Sequence, residues 1–432
     1  MVPHAALAQE HVPDEQVPLE DGALVFREGR AGDGESRPER GHEGRGHRAD
    51  VAFIGGVEGR AILEVEPLAA CVPQPLQRGE RLFDRFRRRR SARLQRDDDR
   101  VHVGRRLPPG NADHLGSRLA RELLRRGKLT GMDGRLREIS RITLLDLFPA
   151  RGFEDPRIVV KAGDVADPAV LADAVTPDTD SIFHLAAVVS AQAEAEFDLG
   201  MRINLDATRL ILERARQNGN RPRVVFTSSV AVFGGPLPAK VPDSTPLMPQ
   251  SSYGTQKAMG ELLVSDYSRR GFVDGRALRM PTISVRPGAP NKAASSFASG
   301  IIREPLDGKE SVCPVAPGTV MWLMSPRKAI EGLLHGHEID GAALGSTRSV
   351  SMPGLSISVG DMVASLERVA GKEVSALVRW QLDPALDRIV ATWPGDFSTP
   401  RADSLGFQRD QSFDDIVRAY MADDRPGGPA IR

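Results

Sequence analysis

The sequence predicts an α/β fold: a Rossmann-like doubly wound parallel sheet with a smaller C-terminal substrate lobe, preceded by a low-order N-terminal extension. Two observations support this fold class. From about residue 115 onward, short apolar runs alternate with helical patterns, which is typical of a parallel sheet with helices on both faces. In addition, Asp146, Asp164 and Ser229 each follow an apolar run, and in such sheets ligands bind outside the carboxyl ends of the strands.

The individual elements follow from local patterns. Apolar residues at helical spacing and a terminal glycine predict a helix over 115–127. Short apolar runs bounded by turn residues predict strands over 141–147, 157–164, 181–187, 223–229 and 275–285. Helical spacing between them predicts further helices over 168–175, 196–218, from Tyr253 onward, 325–335 and 358–370.

The chain divides into three segments by composition. Residues 1–112 are rich in Arg, Gly, Asp, Glu and Pro and cannot bury enough apolar surface to offset the entropy of ordering. We predict a low-complexity, disordered or mis-annotated extension there, a Rossmann-like domain over 113–285, and a lobe that mainly binds substrate over 286–432. The basic run 85–100 is interpreted as solvated rather than as a nucleic-acid arm, because it contains the acidic triplet Asp97–Asp99.

Bulk composition narrows the functional classes. The 432 residues carry a formal net charge of +0, which favours neither nucleic acid nor an acidic membrane surface as a partner. The two cysteines, Cys71 and Cys313, are far apart, which argues against a disulfide framework or metal cluster and fits a reducing cytoplasm. Because we find neither a secretory signal nor an apolar run long enough to span a bilayer, we expect a cytoplasmic protein without a metal.

A candidate proton-transfer site is formed by Ser229, Tyr253 and Lys257. Residues four apart share one face of a helix, so the Lys257 ammonium can lie beside the Tyr253 phenol and lower its pKa from about 10. The Ser229 hydroxyl, at a strand end, can hold a substrate oxygen against that phenol. A lone Tyr-x-x-x-Lys pattern is common on ordinary helices, but the preceding strand that ends in serine favours a general base for an alcohol.

Residues at the other strand ends are suited to a dinucleotide. Asp146 can accept hydrogen bonds from an adenosine ribose, and its charge selects NAD over NADP; the alternative is an ordinary turn residue. His184 is interpreted as a packing residue, because nothing near it in the sequence pairs with it. The residues expected to flank the adenine or to let the backbone approach the cofactor are Asp164, Val165, Leu185, Ala186 and Ala187.

The phosphate-binding loop is the weakest part of the pattern. Gly110 and Gly116 have suitable spacing for its first and third glycines, but Asp113 stands where the middle glycine belongs. The segment before Gly110 contains two prolines, which a central strand excludes. Residues 51–59 contain a better strand and glycine pair. They lie so far from Asp146 in the sequence, however, that they are interpreted as a decoy, a false match to the phosphate-binding loop.

From about residue 115 to its end, the chain resembles the extended short-chain dehydrogenase/reductase superfamily, in its NAD-dependent epimerase/dehydratase group. The motifs that carry the resemblance are 183–192, Asn204, Ser229, 253–257 and 279–288. They are most similar to the D-erythronate dehydrogenase family, whose members oxidise the C2 hydroxyl of a four-carbon sugar acid. The resemblance implies NAD as cofactor and conversion of D-erythronate to 2-dehydro-D-erythronate.

The resemblance also implies roles for single residues. Tyr253 is the base, Lys257 lowers its pKa and holds the nicotinamide ribose, Ser229 orients the substrate hydroxyl, and Asn204 supports the lysine through water. The backbone around Pro281 and Ile283 meets the nicotinamide amide. Ser190 and Arg286 are candidate substrate contacts, and an arginine can bind a carboxylate through two hydrogen bonds, although Arg286 before a proline can also be a loop residue.

The beginning of the chain departs from this resemblance, because such proteins start a few residues before a glycine-rich loop. We therefore expect the N-terminal segment to arise from a frame or start-site error. Two alternatives stay open: a nucleotide-sugar epimerase or dehydratase that uses the same Tyr253 and Lys257 pair, and a catalytically impaired dinucleotide-binding paralogue. The resemblance further implies a homodimer through the long helix and the Tyr253 helix.

Overall fold

The computed structural model describes residues 49–55, 115–288 and 293–425. The strands are β1 (Ala49–Ile54), β2 (Lys128–Thr130), β3 (Leu136–Asp146), β4 (Ile158–Ala162), β5 (Thr179–His184), β6 (Arg223–Ser229), β7 (Val241–Pro242), β8 (Asp274–Met280), β9 (Thr282–Ile283), β10 (Ser311–Cys313), β11 (Val320–Met324), β12 (Ser349–Ser351), β13 (Leu355–Ser358), β14 (Val378–Trp380) and β15 (Phe397–Ser398).

Helices connect these strands. The α-helices are α1 (Leu115–Arg126), α2 (Pro168–Ala174), α3 (Ser190–Ala195), α4 (Phe197–Gly200), α5 (Ala207–Asn218), α6 (Ser252–Arg269), α7 (Phe297–Leu306), α8 (Pro326–Glu338), α9 (Val359–Ala370), α10 (Lys372–Ser375), α11 (Pro384–Val390), α12 (Pro400–Ser404) and α13 (Phe413–Asp424). A π-helix covers Met201–Asp206, and 3₁₀ turns cover Val230–Val232 and Ala294–Ser296.

The main sheet is the doubly wound parallel sheet that the sequence predicts. Its strands lie side by side in the order β4, β3, β1, β5, β6, β8 and β12, all parallel, while β2 pairs antiparallel with the first half of β3. Helices α1 and α8 cover one face around Leu119, Leu123 and Leu333. Helices α2, α5 and α6 cover the other face around Leu171 and Ile211.

Strand β1 corrects one interpretation of the sequence. Ala49–Ile54 pairs with β3 on one side and β5 on the other, and its residues are almost completely buried. The interpretation of residues 51–59 as a decoy is therefore wrong for the part that the structure describes. This strand occupies the centre of the sheet although it lies inside the 1–112 segment, whereas the basic run 85–100 lies outside the described residues.

Two other elements differ from their predicted form. Strand β3 begins at Leu136 rather than residue 141, because its first residues pair with β2. The predicted helix over 196–218 is divided into α4, the π-helix and α5.

The C-terminal part has its own apolar core, formed around residues such as Ile301, Val359, Met362 and Ile416. Helix α8 and strand β12, however, return to the main sheet. The division of the chain into 113–285 and 286–432 stays a prediction. Within the described residues, no helix combines the length and the apolar character that crossing a membrane requires.

Candidate active site

The carboxyl ends of β1, β3, β4 and β5 meet at one edge of the sheet. The Gly55 amide donates a hydrogen bond to Leu145 O (2.6 Å), and the amides of Leu185 and Ala186 both donate to Ile54 O (3.0 and 2.9 Å). The Gly163 amide donates to Asp146 O (2.9 Å). The structure therefore brings together strand ends that the sequence assigned to cofactor binding, and it adds Gly55 to them.

Gly55 lies directly against the Asp146 carboxylate. A Cβ atom added at Gly55 would overlap Asp146 Oδ2, so a larger residue at the end of β1 would displace that carboxylate. A central strand that ends in glycine, beside an acidic residue at the end of the next strand, is the arrangement that dinucleotide-binding folds use for the pyrophosphate and the adenosine ribose. The described residues on this side of the site therefore fit NAD.

Asp164 and Val165, the residues expected to flank the adenine, have different environments: the first is ion paired and the second is in the apolar core. Asp164 accepts a hydrogen bond from the Ala166 amide (2.9 Å) and forms an ion pair with Arg202, while Val165 is buried against α2 and α5. Burial is the largest single influence on the pKa of Asp164 and raises it, but the hydrogen bonds from Arg202 and from the Ala166 amide, together with the charge of Arg202, outweigh burial and lower the pKa overall. Asp164 is thus an anionic residue held in place by Arg202, a partner that the sequence did not suggest.

Of the two glycines expected in the phosphate-binding loop, Gly116 lies in a helix and Gly110 lies outside the described residues. Gly116 is in the first turn of α1, where an added Cβ would meet no described atom within 4 Å, so no close approach requires glycine there. Gly110 and Asp113 lie outside the described residues. Of Gly55 and Gly116, Gly55 is the one that lies closely against a neighbouring side chain, and the cofactor-binding role of Gly116 stays a prediction.

Helix α6 presents Tyr253 to the end of β6. The helix begins after Ser251, whose hydroxyl accepts a hydrogen bond from the Gly254 amide (3.1 Å). Tyr253 is half-buried and hydrogen bonded to the Ser229 side chain. The Ser229 hydroxyl also accepts from the Ala231 amide (3.1 Å), which fixes it at the strand end. Ser229 and Tyr253 thus meet as the sequence predicts.

The electrostatics of Tyr253 differ from the sequence prediction. Burial raises the pKa of Tyr253 to about 12, while the hydrogen bond with Ser229 and the charge of Arg286 act to lower it. Lys257 is not among the groups that lower this pKa in the structure, so the expectation that it does so stays a prediction. Lys257 is itself buried, and burial of a charged group destabilises the charged form.

Lys257 points toward β6. Its Nζ donates to Thr227 O (2.8 Å), and it lies 4.8 Å from the centre of the Phe226 ring and 5.7 Å from that of Tyr253. Burial lowers the pKa of Lys257 to about 7, and the charge of Glu261 opposes this shift. The lysine is therefore next to Tyr253, as predicted, but it loses its proton at a lower pH than an exposed lysine does.

The Asn204 side chain is hydrogen bonded to the backbone of the loop after β5. Its Oδ1 accepts from the Val188 amide (2.7 Å), and its Nδ2 donates to Val188 O (3.1 Å) and Gln256 Oε1 (2.7 Å). Because these bonds use both amide hydrogens, the side chain links the loop after β5 to α6. The expected support of Lys257 through water stays a prediction.

His184 has a partner that the sequence did not reveal. Its Nε2 lies 2.8 Å from the Thr208 hydroxyl, so the expectation that nothing nearby pairs with it is wrong. Burial and the charge of Lys257 lower the pKa of His184 to about 3. A histidine that stays neutral and buried is a packing residue, which agrees with the interpretation from the sequence.

The candidate substrate residues, Arg286 and Ser190, are on elements that neighbour the Tyr253 helix or act on its phenol. Arg286 acts electrostatically on Tyr253, and its backbone is held by Ser299 Oγ (3.0 Å) and Arg303 Nη1 (2.8 Å). Ser190 is the first residue of α3, a helix that contacts the start of α6 through the bond from the Ser252 amide to Glu194 (2.9 Å). Two expected nicotinamide neighbours, Pro281 and Ile283, lie just after β8, where β9 pairs with β11.

Sequence reasoning missed Glu261 and Arg279, which form a buried ion pair behind Lys257 (2.7 Å). One signal was present, because Glu261 follows Lys257 by four residues and therefore shares its helix face. The arginine could not be found in this way, since it comes from β8 and pairs across a long stretch of sequence.

A doubly wound sheet with an acidic residue beside the first strand, and a Ser–Tyr–Lys group at its carboxyl edge, defines a dinucleotide-dependent oxidoreductase of the Rossmann class. Residues 110–322 match the family model described as the NAD dependent epimerase/dehydratase family. Two curated relatives are similar to this chain: D-erythronate dehydrogenase from Cupriavidus necator, 59% identical over 317 residues (73% of this chain, 98% of that protein), and D-erythronate dehydrogenase from Haemophilus influenzae, 42% identical over 313 residues (72% and 97%). The chain belongs to the NAD dependent epimerase/dehydratase family, and the predicted resemblance is confirmed.

Solved structures agree with this assignment. A nucleoside-diphosphate-sugar epimerase from Agrobacterium tumefaciens is 42% identical, with a TM-score of 0.69 over 76% of this chain and 99% of that one. A GalE-like L-threonine dehydrogenase from Cupriavidus necator has a TM-score of 0.62 at 23% identity, covering 72% of this chain and 97% of that one, and shows the shared fold alone. These likenesses confirm the predicted fold class.

Proposed function

We propose that this chain is an NAD-dependent dehydrogenase that oxidises the C2 hydroxyl of D-erythronate to 2-dehydro-D-erythronate. The observation that carries the proposal is the meeting of Ser229, Tyr253 and Lys257 at the sheet edge beside Gly55 and Asp146. The substrate is inferred from the two relatives of that name, at 59% and 42% identity.

In the proposed mechanism, the substrate hydroxyl lies between Ser229 and Tyr253. Ser229 donates a hydrogen bond that orients the hydroxyl, and the ionised Tyr253 phenol removes its proton as the carbonyl forms. Lys257 and Arg286 supply positive charge near the phenol, and positive charge favours the phenolate. NAD, when bound, would supply the acceptor for the hydride from C2; Asp146 would hold its adenosine ribose, and Gly55 would leave room for its pyrophosphate.

Arg286 gives the substrate its orientation. A guanidinium beside the reacting phenol can bind the carboxylate of a 2-hydroxy acid through two hydrogen bonds, which places the adjacent C2 hydroxyl at Tyr253. This arrangement favours an acid over a neutral alcohol as substrate.

The test is NADH formation from D-erythronate, measured by absorbance, with the wild-type chain and Tyr253→Phe. We expect turnover by the wild type, and loss of most activity in the variant with its fold and NAD affinity retained. Tyr267→Phe is the matched control, since that tyrosine lies on the same helix and bonds to Glu213 away from the site (3.2 Å). Full activity of Tyr253→Phe would remove Tyr253 as the base.

A second candidate is a nucleotide-sugar epimerase, because the Agrobacterium tumefaciens structure that is 42% identical carries that description. An epimerase uses the same tyrosine but needs room for a nucleoside diphosphate instead of a small acid. Turnover of a nucleotide sugar, without NADH formation from sugar acids, would favour this candidate over the dehydrogenase.

We also propose that the protein acts as a homodimer in the cytoplasm. Leu262 on α6 is 66% exposed, as expected for an apolar side chain that a second copy covers. Described Cys313 is a free buried thiol, which fits a reducing compartment. Sedimentation of the wild type and of Leu262→Glu tests the dimer; an unchanged mass of the variant would contradict this interface.

A further inference from the structure

A buried polar network lies directly behind the proton-transfer site. Arg279 donates to Glu261 through Nη2 to Oε2 (2.7 Å) and through Nε to Oε1 (3.0 Å), and Ser228 Oγ donates to Glu261 Oε1 (2.5 Å). All three side chains are less than a tenth exposed. This geometry is the two-point arginine–carboxylate contact that fixes orientation as well as distance.

Each member of the network is next to a site residue on a different element. Ser228 precedes Ser229 on β6, Glu261 lies one helical turn after Lys257 on α6, and Arg279 stands two residues before Pro281 at the end of β8. The network therefore connects the three elements that carry the hydroxyl, the lysine and the expected nicotinamide neighbour.

Helix α6 is held unusually close to β6 at this point. An added Cβ at Gly260 would stand 2.7 Å from Phe226 Cζ, so the helix backbone rests almost on the strand's side chains. Lys257 Nζ crosses the same gap to Thr227 O (2.8 Å), and Glu261 crosses it to Ser228. Two adjacent residues of β6 are thus tied to two successive turns of α6.

We propose that Glu261 and Arg279 are positioning residues for the proton transfer. Their ion pair, with Ser228, holds Ser229 and Lys257 at their working separation and supplies the negative charge that Lys257 faces. The proposal rests on the proposed dehydrogenase function. Both side chains are buried and bonded to each other, and Glu261 is bonded to Ser228, so we assign them a role through Ser228 and Lys257 rather than a contact with substrate.

The central experiment compares Glu261→Gln with Asp274→Asn. Asp274, at the other end of β8, is the carboxylate partner of buried Arg276 (3.1 Å) and also binds Arg348 (3.0 Å), so Asp274→Asn leaves a buried arginine bonded only to backbone carbonyls and lies away from the site. Both variants should lose stability. Only Glu261→Gln should lower kcat, on the order of 10- to 100-fold, because small displacements of reacting groups cost about that much. KM for the acid and for NAD should change little.

A second variant separates positioning from folding. Replacing both partners, in Glu261→Gln with Arg279→Met, removes the unpaired buried charge and should recover stability relative to Glu261→Gln alone. The kcat should stay low, because the link between α6 and β6 is still lost. Recovery of kcat together with stability would overturn the proposal, as would equal kcat losses in Glu261→Gln and Asp274→Asn.

A structural readout keeps this test independent of the substrate. If the wild type does not oxidise D-erythronate, the dehydrogenase proposal fails by itself. Crystal structures of wild type and Glu261→Gln then decide the positioning claim: a Lys257 Nζ to Thr227 O separation that lengthens from 2.8 Å in the variant supports it, and an unchanged separation overturns it.

Discussion

Replacing Lys257 by methionine should stabilise this protein at neutral and acidic pH while abolishing its activity. Burial lowers the pKa of Lys257 from 10.5 to about 7, so the folded protein holds a charged lysine only at a cost. At about 1.4 kcal/mol per pH unit, the difference between those two values corresponds to about 5 kcal/mol. Methionine has a similar length and carries no charge, so it avoids this cost.

The sign of the pH dependence follows from proton uptake. Between pH 7 and 10.5 the unfolded chain binds the proton that the folded Lys257 has released, so this residue makes the wild type more stable as the pH rises. Below pH 7 the full destabilisation is present, and above pH 10.5 it is absent.

The loss of the hydrogen bond from Lys257 to Thr227 reduces the stability that the Lys257→Met variant gains. In Lys257→Met, Thr227 O loses the 2.8 Å bond from Nζ, which costs about 1–3 kcal/mol for a carbonyl that becomes unpaired. The variant should therefore be more stable than the wild type by about 2–4 kcal/mol below pH 7, and less stable by about 1–3 kcal/mol once the lysine is neutral in both states. The two stability curves should cross.

Urea unfolding at about pH 6, 8 and 10 measures this crossing, with each free energy extrapolated to water. Lys372→Met is the matched control, because Lys372 is exposed on α10 and should give a difference that does not depend on pH. A stability difference between Lys257→Met and wild type that is the same at all three pH values would refute the reasoning. NADH formation by Lys257→Met should be absent throughout.

Three further substitutions probe the rest of the site. Gly55→Ala should weaken NAD binding by about tenfold or more, because the new Cβ displaces the Asp146 carboxylate; NAD titration by intrinsic fluorescence measures it. Asp146→Ser should raise NADP use relative to NAD by about tenfold, measured as the ratio of kcat/KM values, since it removes the charge that repels a 2′-phosphate. Asn204→Leu should destabilise the fold by about 1–3 kcal/mol in urea unfolding, because Val188 N and Gln256 Oε1 both lose their partner.

Much of the fold could be read from local sequence patterns. The apolar runs that end at Asp146, Asp164 and Ser229 are strands whose carboxyl ends lie at one edge, because in a parallel sheet every strand runs the same way. The proximity of Tyr253 and Lys257 could also be predicted from the sequence, since spacing along one helix fixes which side chains share a face.

The central strand was missed for a physical reason. A sequence pattern does not show which strands pair with each other. Strands β1 and β3 are far apart in the sequence, so patterns within short windows cannot predict their pairing. The strand within residues 51–59 was recognised but rejected, because these residues are separated from Asp146 by far more than one helix. The pairing of β1 with β3 and β5, and the hydrogen bonds from Gly55, Leu185 and Ala186, reveal its position.

Burial also explains why the electrostatics of the site escaped the sequence. Spacing correctly placed Lys257 beside Tyr253, but it could not show that both groups are largely removed from water. Burial raises the pKa of the Tyr253 phenol and lowers the pKa of the Lys257 ammonium. Burial by itself thus favours the neutral form of each group, and a phenolate requires positive charge from elsewhere. Arg286 supplies such charge to the phenol, and Glu261 favours the charged form of Lys257. We therefore propose that the reactivity of the Tyr–Lys pair depends on two residues outside the motif: Arg286, whose charge acts on the phenol, and Glu261, which is paired with Arg279 and acts on Lys257.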